Sequence, residues 1–439
     1  MLRSAAGVVA GAVVLSVVTG CASSSSEAGA GADGGKTVTV WTWTGPGKEL
    51  QAAVPGFEAA NPGIKVKIED VGNPAIWDKI TTGMAAGGAG LPDVMNIGVD
   101  YMPSYLEKFK DGLQELGALG AGDLAKDFSD AAWASGGDAD GKVFGVPFEE
   151  YTSVLMFRRD LFEAAGVNVD EVKTWDQLIA AGVKVKEKSG VPLLALDESA
   201  TVTDSANLWQ FLEILQGGFY FDGQGRVAMN DAKGVRALDL IKQMHDKGLI
   251  ADVPGDIGKV FAAFAESKVA AIPAASWVPG ALPEKAPALS GKVGIAPLPA
   301  VETGGARSGL VGSSYLTLAK AGKNKDAAFK FVKYAMTDLN AQQAMFAAGG
   351  LFPANRPMQR SEGFVKAVDY YGGQAPNELI VSLLATSKGR SNYSSDYPKA
   401  LRAYTAAQTQ VLLKGSTPKE ALDKAAAQVA QQTGRTPAK

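Results

Sequence analysis

Scarcity frames this sequence of 439 residues, which holds one cysteine and one histidine. A single cysteine, Cys21, excludes an intramolecular disulfide by arithmetic. The lone histidine, His245, falls near the end of a helical pattern and reads as a surface residue, so a Ser-His-Asp triad has little to draw on. Clusters with metal-ligand spacing are absent, and the glycine-rich residues 83–90 lack the lysine and hydroxyl residue of a phosphate loop, so no cofactor is expected. Basic excess is missing too: 43 Lys and Arg stand against 46 Asp and Glu, a formal net charge of -3, which argues against nucleic acid as a partner. No signature marks the two facing carboxyls that glycoside hydrolysis needs. The chain therefore reads as a non-enzyme.

What is present is ordinary for a globular protein, with 46% apolar and 20% charged residues. The length exceeds the roughly 250–300 residues that one core serves, so two domains are expected. Only the N-terminus departs from this. Arg3 precedes an uncharged run over residues 4–20, short for a membrane span and suited to a signal peptide. Cys21 follows Val18, Thr19 and Gly20, an arrangement that resembles the lipobox read by lipoprotein signal peptidase. The alternative is a buried thiol. As a lipid acceptor, Cys21 would anchor the protein to the outer face of the cytoplasmic membrane, with residues 21–36 as a flexible tether.

Residues 37–43, TVTVWTW, read as a strand buried on both faces. A Gly45-Pro46-Gly47 turn and a helix to Ala60 follow, with Pro55 as a kink or restart. Strands at 64–68 and 94–97 and a helix at 76–86 alternate in the manner of a parallel α/β sheet. Around residues 141–167 an extended run leads to Pro147, where regular pairing should stop; Glu149, Glu150 and Tyr151 come next, then a buried strand over 154–157 and a helix from Arg158. Later come capping boxes at Thr174/Gln177 and Thr417/Glu420, helices at 207–215, 232–247 and 325–336, and strands at 193–196, 268–272, 293–297 and 311–318.

TVTVWTW, Asn61-Pro62-Gly63-Ile64, LPDVMNIG at Leu91, GKVFGVPFE at Gly141, KVAAIPAASW at Lys268 and GIAPLPA at Gly294 occur in an order and spacing that resembles the extracellular solute-binding proteins of carbohydrate ABC importers, the group that includes maltose-binding protein. The resemblance spans nearly the whole mature chain. It implies a two-lobed α/β fold of the periplasmic-binding-protein type with a helical C-terminal region. Residues 37–148 with 310–352 would form lobe 1, 152–306 with 356–432 lobe 2, and 149–151, 307–309 and 353–355 the hinge crossings. It further implies capture of an oligosaccharide or disaccharide in the cleft by a monomer, and delivery to the permease subunits of an ABC importer. A secreted glycosidase and a binding protein for a non-sugar solute are the alternatives.

Candidate ligand contacts follow from position. Trp43 ends the first strand beside a turn, where a ring can face a cleft, whereas Trp41 lies deeper in the strand and reads as core. Trp277 follows a strand and a short loop, a place that resembles the family's stacking tryptophan. Asp100 lies beyond the third strand and can offer a carboxylate to hydroxyls; otherwise it is a solvated loop acid. In an extended chain Glu149 and Glu150 must face opposite sides, so Tyr151 and one glutamate are expected in the cleft. Asn207 and Trp209 are candidates from the second lobe, with helix core as the competing role for Trp209. Gly312, Ser313 and Ser314 form an edge on the returning strand, and Asn355 with Arg356 lie near the last crossing.

Overall fold

The computed structural model describes residues 36–438 apart from Lys110, Ala139, Val202, Leu351 and Lys388; the expected signal peptide, Cys21 and the tether up to residue 35 lie outside the described residues. Strand β1 (Lys36–Thr42) is flanked by two parallel partners, β2 (Ile64–Asp70) and β3 (Val94–Gly98). Its burial alternates: Val38, Val40 and Thr42 are fully enclosed, while Thr39 and Trp41 on the other side are half-buried. Burial on both faces, as expected for this run, holds for only one of them. Helices α1 (Thr44–Ala60), α2 (Ala75–Ala85) and α3 (Met102–Lys108) follow the three strands in turn. The Gly45-Pro46-Gly47 turn is absent, because α1 starts at Thr44 and absorbs it. Pro46 sits in the first turn, where its missing amide hydrogen has no helical partner in any case.

After the short helix α4 (Asp130–Ser135), strand β4 (Gly145–Arg158) carries the chain into a second region. There follow α5 (Arg159–Ala164), α6 (Trp175–Ser189), β5 (Leu194–Leu196), α7 (Asn207–Leu215), α8 (Ala232–Asp246) and β6 (Ile250–Asp252). Next come α9 (Ile257–Ala265), β7 (Ala271–Ala275), α10 (Val278–Lys285) and β8 (Val293–Pro297). The chain returns along β9 (Gly309–Leu318) into α11 (Lys325–Thr337) and α12 (Leu339–Gly349). It crosses again to α13 (Arg356–Gln359), α14 (Pro376–Thr386), β10 (Gly389–Arg390), α15 (Tyr397–Lys414) and α16 (Pro418–Thr433). Both capping boxes form as read, Thr174 with Gln177 at α6 and Thr417 with Glu420 at α16. Each such N-cap contributes about 1 kcal/mol.

The main sheet runs β2-β1-β3-β9-β4-β7, with β8 also on β4 and β10 on β9. It is mixed rather than parallel, since β9 runs antiparallel to both β3 and β4. The strands that bring the chain back from the second region must oppose those that take it there. Pro147 does not end the pairing either: β4 continues for 14 residues, with Pro147 opposite Tyr315 and register shifts at Pro147/Glu149 and Tyr151/Thr152. In this half β4 has a ladder on one side only, the edge setting that proline tolerates. Pro273 lies inside β7, opposite Leu155, at the end of the sheet order for the same reason.

Three core clusters hold the two ends of β4, one at its start and two at its end. Val146 and Phe148 pack with Val38, Phe57 and Phe331. Leu155 and Phe157 pack with Trp175, Trp209 and Tyr404, while Val154 and Met156 join Phe261, Ile272 and Tyr371. Each buried phenylalanine contributes about 1.5–3 kcal/mol, so both ends of the strand are firmly held. Between them lie Glu149, Glu150 and Tyr151. The fold is two-lobed α/β, with the polar part of β4 at the crossing.

Candidate functional site

Strands β1, β2 and β3 direct their carboxyl ends to one edge of their lobe, and the residues just beyond them share a cleft of about 510 Å³. Trp43 follows β1, Asn73 follows β2, and Asp100 with Tyr101 follows β3. Open α/β sheets place their ligand sites at such strand ends, and this volume falls in the ~300–1,000 Å³ range of small-molecule sites. Glu149 and Tyr151 enter from β4, and Gly312, Ser313 and Ser314 from β9. The other lobe supplies Asp204, Asn207, Gln210, Tyr393, Tyr397 and Arg402.

Aromatic rings wall the cleft. Trp43 lies 5.5 Å from Trp77, whose ring stacks on Tyr101 at 4.3 Å and 13°, and the Trp77 indole donates to Asn73 Oδ1 at 3.0 Å. Across the cleft Tyr393 meets Tyr397 edge-on at 4.7 Å, and the Tyr397 hydroxyl accepts from Gln210 at 3.1 Å. Such rings combine an apolar face with a fixed orientation, which suits stacking on a flat, partly apolar ligand. Tyr151 lies over Gly312, where an added Cβ would stand 3.5 Å from its ring.

The carboxylates are set by burial. Glu149 is enclosed, and burial pushes its carboxyl up to about 7, with the Tyr151 and Ser314 hydroxyls pulling it partway back. Ser314 Oγ donates to one oxygen at 3.2 Å, while Oε1 has no hydrogen-bond partner. Burial likewise pushes Asp100 up to about 6 against its own backbone N–H and that of Tyr101. Its carboxylate folds back over Gly98, where an added Cβ would push Asp100 Oδ1 aside.

Of the residues singled out from the sequence, Trp43, Asp100, Glu149, Tyr151, Asn207, Gly312, Ser313 and Ser314 line the cleft, and five do not. Glu150 takes the opposite face of β4, where Ser129 Oγ donates to it at 2.5 Å; burial raises its carboxyl, and that hydrogen bond and the Arg356 charge offset part of the rise. Trp209 is core: it is fully buried, donates to Gly234 O at 3.0 Å and stacks on Tyr404 at 4.2 Å. Trp277 packs edge-on against Phe261 at 5.4 Å, beside the second lobe's core. Asn355 caps α13 by accepting from Met358 N and donates to Met336 O, so both ends of its amide are used. Arg356 begins that helix and serves Glu150.

Sequence reading passed over Asn73, Trp77, Tyr101, Asp204, Gln210, Tyr393, Tyr397 and Arg402. For Trp77 and Tyr101 the usable signal is an aromatic at the start of a helix that directly follows a strand. Tyr393 and Tyr397 stand in the run SNYSSDY, where aromatics alternate with small polar residues before a helix. Among the described residues no group of His, Cys, Asp or Glu converges as a metal site requires.

An arabinooligosaccharide-binding protein of Bacillus subtilis (strain 168) is 26% identical over 380 residues, covering 84% of this chain and 86% of its own. The protein of B. animalis subsp. lactis Bl-04 solved with beta-1,6-galactobiose superposes with a TM-score of 0.76 at 21% identity, over 92% of this chain and 100% of that one. The GacH receptor of Streptomyces glaucescens, solved unliganded and with acarbose, gives 0.74 at 24% identity over 91% and 99%. Residues 41–342 match the profile of the bacterial extracellular solute-binding proteins, and the chain belongs to that family.

Proposed function

We propose that the cleft captures a carbohydrate, an oligosaccharide or disaccharide, outside the cell and delivers it chemically unchanged to the permease of an ABC importer. The observation that carries this reading is the aromatic-walled cleft built around the crossing strand, with Glu149, Tyr151 and Ser314 at its centre. Rings supply stacking faces, and carboxylates and hydroxyls supply the directional contacts that polyols need. The arabinooligosaccharide-binding relative and the neighbours holding galactobiose and acarbose support a saccharide. Glu149 and Glu150 face opposite sides of β4 and so do not flank one glycosidic bond, which argues against hydrolysis.

Residues 37–148 with 310–352 form one closing lobe and 152–306 with 356–432 the other, pivoting at 149–151, 307–309 and 353–355. Packing supports the division: Phe148 belongs to one core and Val154 to another. Glu149 also bridges to Pro353, which brings the first and third crossings together. Shifting a mostly open population to mostly closed takes about 5.5 kcal/mol of differential binding. A micromolar ligand supplies roughly 8 kcal/mol in total. The protein works as a monomer held to the membrane by a lipid on Cys21; mass spectrometry finding Cys21 unmodified at the mature N-terminus refutes the anchor.

Calorimetry against a panel of mono- and oligosaccharides, followed by chromatography of the recovered ligand, tests the function. Saccharide binding with intact recovery is expected. Cleaved sugar would make the protein an enzyme, and failure of every saccharide would point to another solute.

A further inference from the structure

The cleft is electrostatically lopsided. Its described lining carries three carboxylates, Asp100, Glu149 and Asp204, against a single guanidinium, Arg402, which is exposed. Neither Glu149 nor the half-buried Asp100 has a cation beside it: Asp100 is held by backbone N–H groups, and Glu149 by hydroxyls. The cation near the crossing, Arg356, serves Glu150 on the far face instead. Glu149 is 2% exposed and its Oε1 is unpartnered at the cleft wall. Burial with no cation alongside holds the Asp100 and Glu149 carboxyls up, to about 6 and about 7, and a cation brought in by the ligand would draw them into the charged form.

Glu213 provides the contrast. It too is buried with both carboxylate oxygens unpartnered, and burial holds its carboxyl well above the ordinary range, but it does not line the cleft. What distinguishes Glu149 is its setting among Trp43, Trp77, Tyr101, Tyr393 and Tyr397, ring faces that also attract a cation. A metal ion does not fit, because the described carboxylates do not converge. A neutral polyol would use the rings and hydrogen-bond these carboxyls, yet it would not favour their charged form.

We propose that the cleft takes a saccharide carrying a protonated amine, its ring stacked on the aromatic wall and its ammonium held by Glu149 or Asp100. The assignment rests on the carbohydrate reading above and narrows it to amino sugars and their oligomers.

Calorimetry on the whole protein at pH 7 with glucosamine oligomers and their N-acetylated counterparts isolates the charge, since the two share a skeleton. The amine form is expected to bind at least tenfold more tightly. Glu149→Gln should remove most of that difference and Glu213→Gln should leave it intact; if Glu149→Gln does not fold, Asp100→Asn takes its place. Equal or tighter binding of the acetylated or other neutral sugars overturns the assignment but leaves the carbohydrate reading standing. Failure of every saccharide overturns both, and so does binding of spermidine alone.

Discussion

The two faces of β4 at the crossing hold the same residue type in opposite conditions. On the rear face, Glu150 accepts from Ser129 and has Arg356 nearby. On the cleft face, one residue earlier, Glu149 is more deeply buried and keeps an oxygen without a partner. The tryptophans differ in place: Trp209 is stacked and hydrogen-bonded within the core, Trp77 is stacked on Tyr101 and bonded to Asn73 at the cleft, and Trp43 stands half-buried beside it. Groups that serve the fold have their partners inside it. At the cleft, Glu149 is left wanting one, at a cost in stability that the surrounding packing absorbs.

Substitutions can break this contrast, and the largest effect belongs to the core. Trp209→Ala should destabilise the protein by about 3–5 kcal/mol in denaturant unfolding, whereas Trp43→Ala should leave stability nearly unchanged. Equal losses at the two would erase the distinction between core and cleft.

Glu149 comes next, through pH. Its carboxyl rises from 4.5 to about 7 on folding, so between these values the folded chain keeps a proton that the unfolded chain releases. Stability therefore falls as pH rises across that window, by about 3 kcal/mol in all, and then levels off. Glu149→Gln should remove this slope and be the more stable protein above pH 7. Unfolding curves for the two at several pH values measure it, and parallel curves would place the Glu149 proton elsewhere.

Glu150→Ala gives a smaller change of the usual sign. Ser129 loses its hydrogen-bond partner and Arg356 a nearby opposite charge, and the loss should be about 1–3 kcal/mol. Ligand affinity should move less than twofold, which calorimetry checks. Smallest is Trp43→Ala on binding, a loss of about 0.5–1.5 kcal/mol for the missing ring face beyond area. A titration showing no loss would remove Trp43 from the ligand wall.

Much of this was legible in the residues. Strand and helix periods, the boxes at Thr174 and Thr417, and the polar interruption at Glu149–Tyr151 within an apolar run marked the elements and the crossing. Proline misled at Pro147, because local chemistry says that proline ends a ladder but not whether a second neighbour exists to need the bond. Strand ends identified Trp43 and Asp100, since a parallel sheet turns position into geometry. Trp209 could not be separated from Trp43 by composition, because an aromatic helix position faces core or cleft according to what packs behind it, here Tyr220 and Tyr404. Tyr393 and Tyr397 were hidden by distance along the chain: only the tertiary fold brings them to the cleft that Tyr101 lines.

The most direct test follows tryptophan fluorescence as a bound saccharide is titrated into the native protein, Glu149→Gln and Glu150→Gln. Adjacent on one strand, the two substitutions make the same chemical change on opposite faces. The cleft account predicts at least a tenfold loss of affinity for Glu149→Gln and less than twofold for Glu150→Gln. Equal losses, or a loss confined to Glu150→Gln, would contradict it.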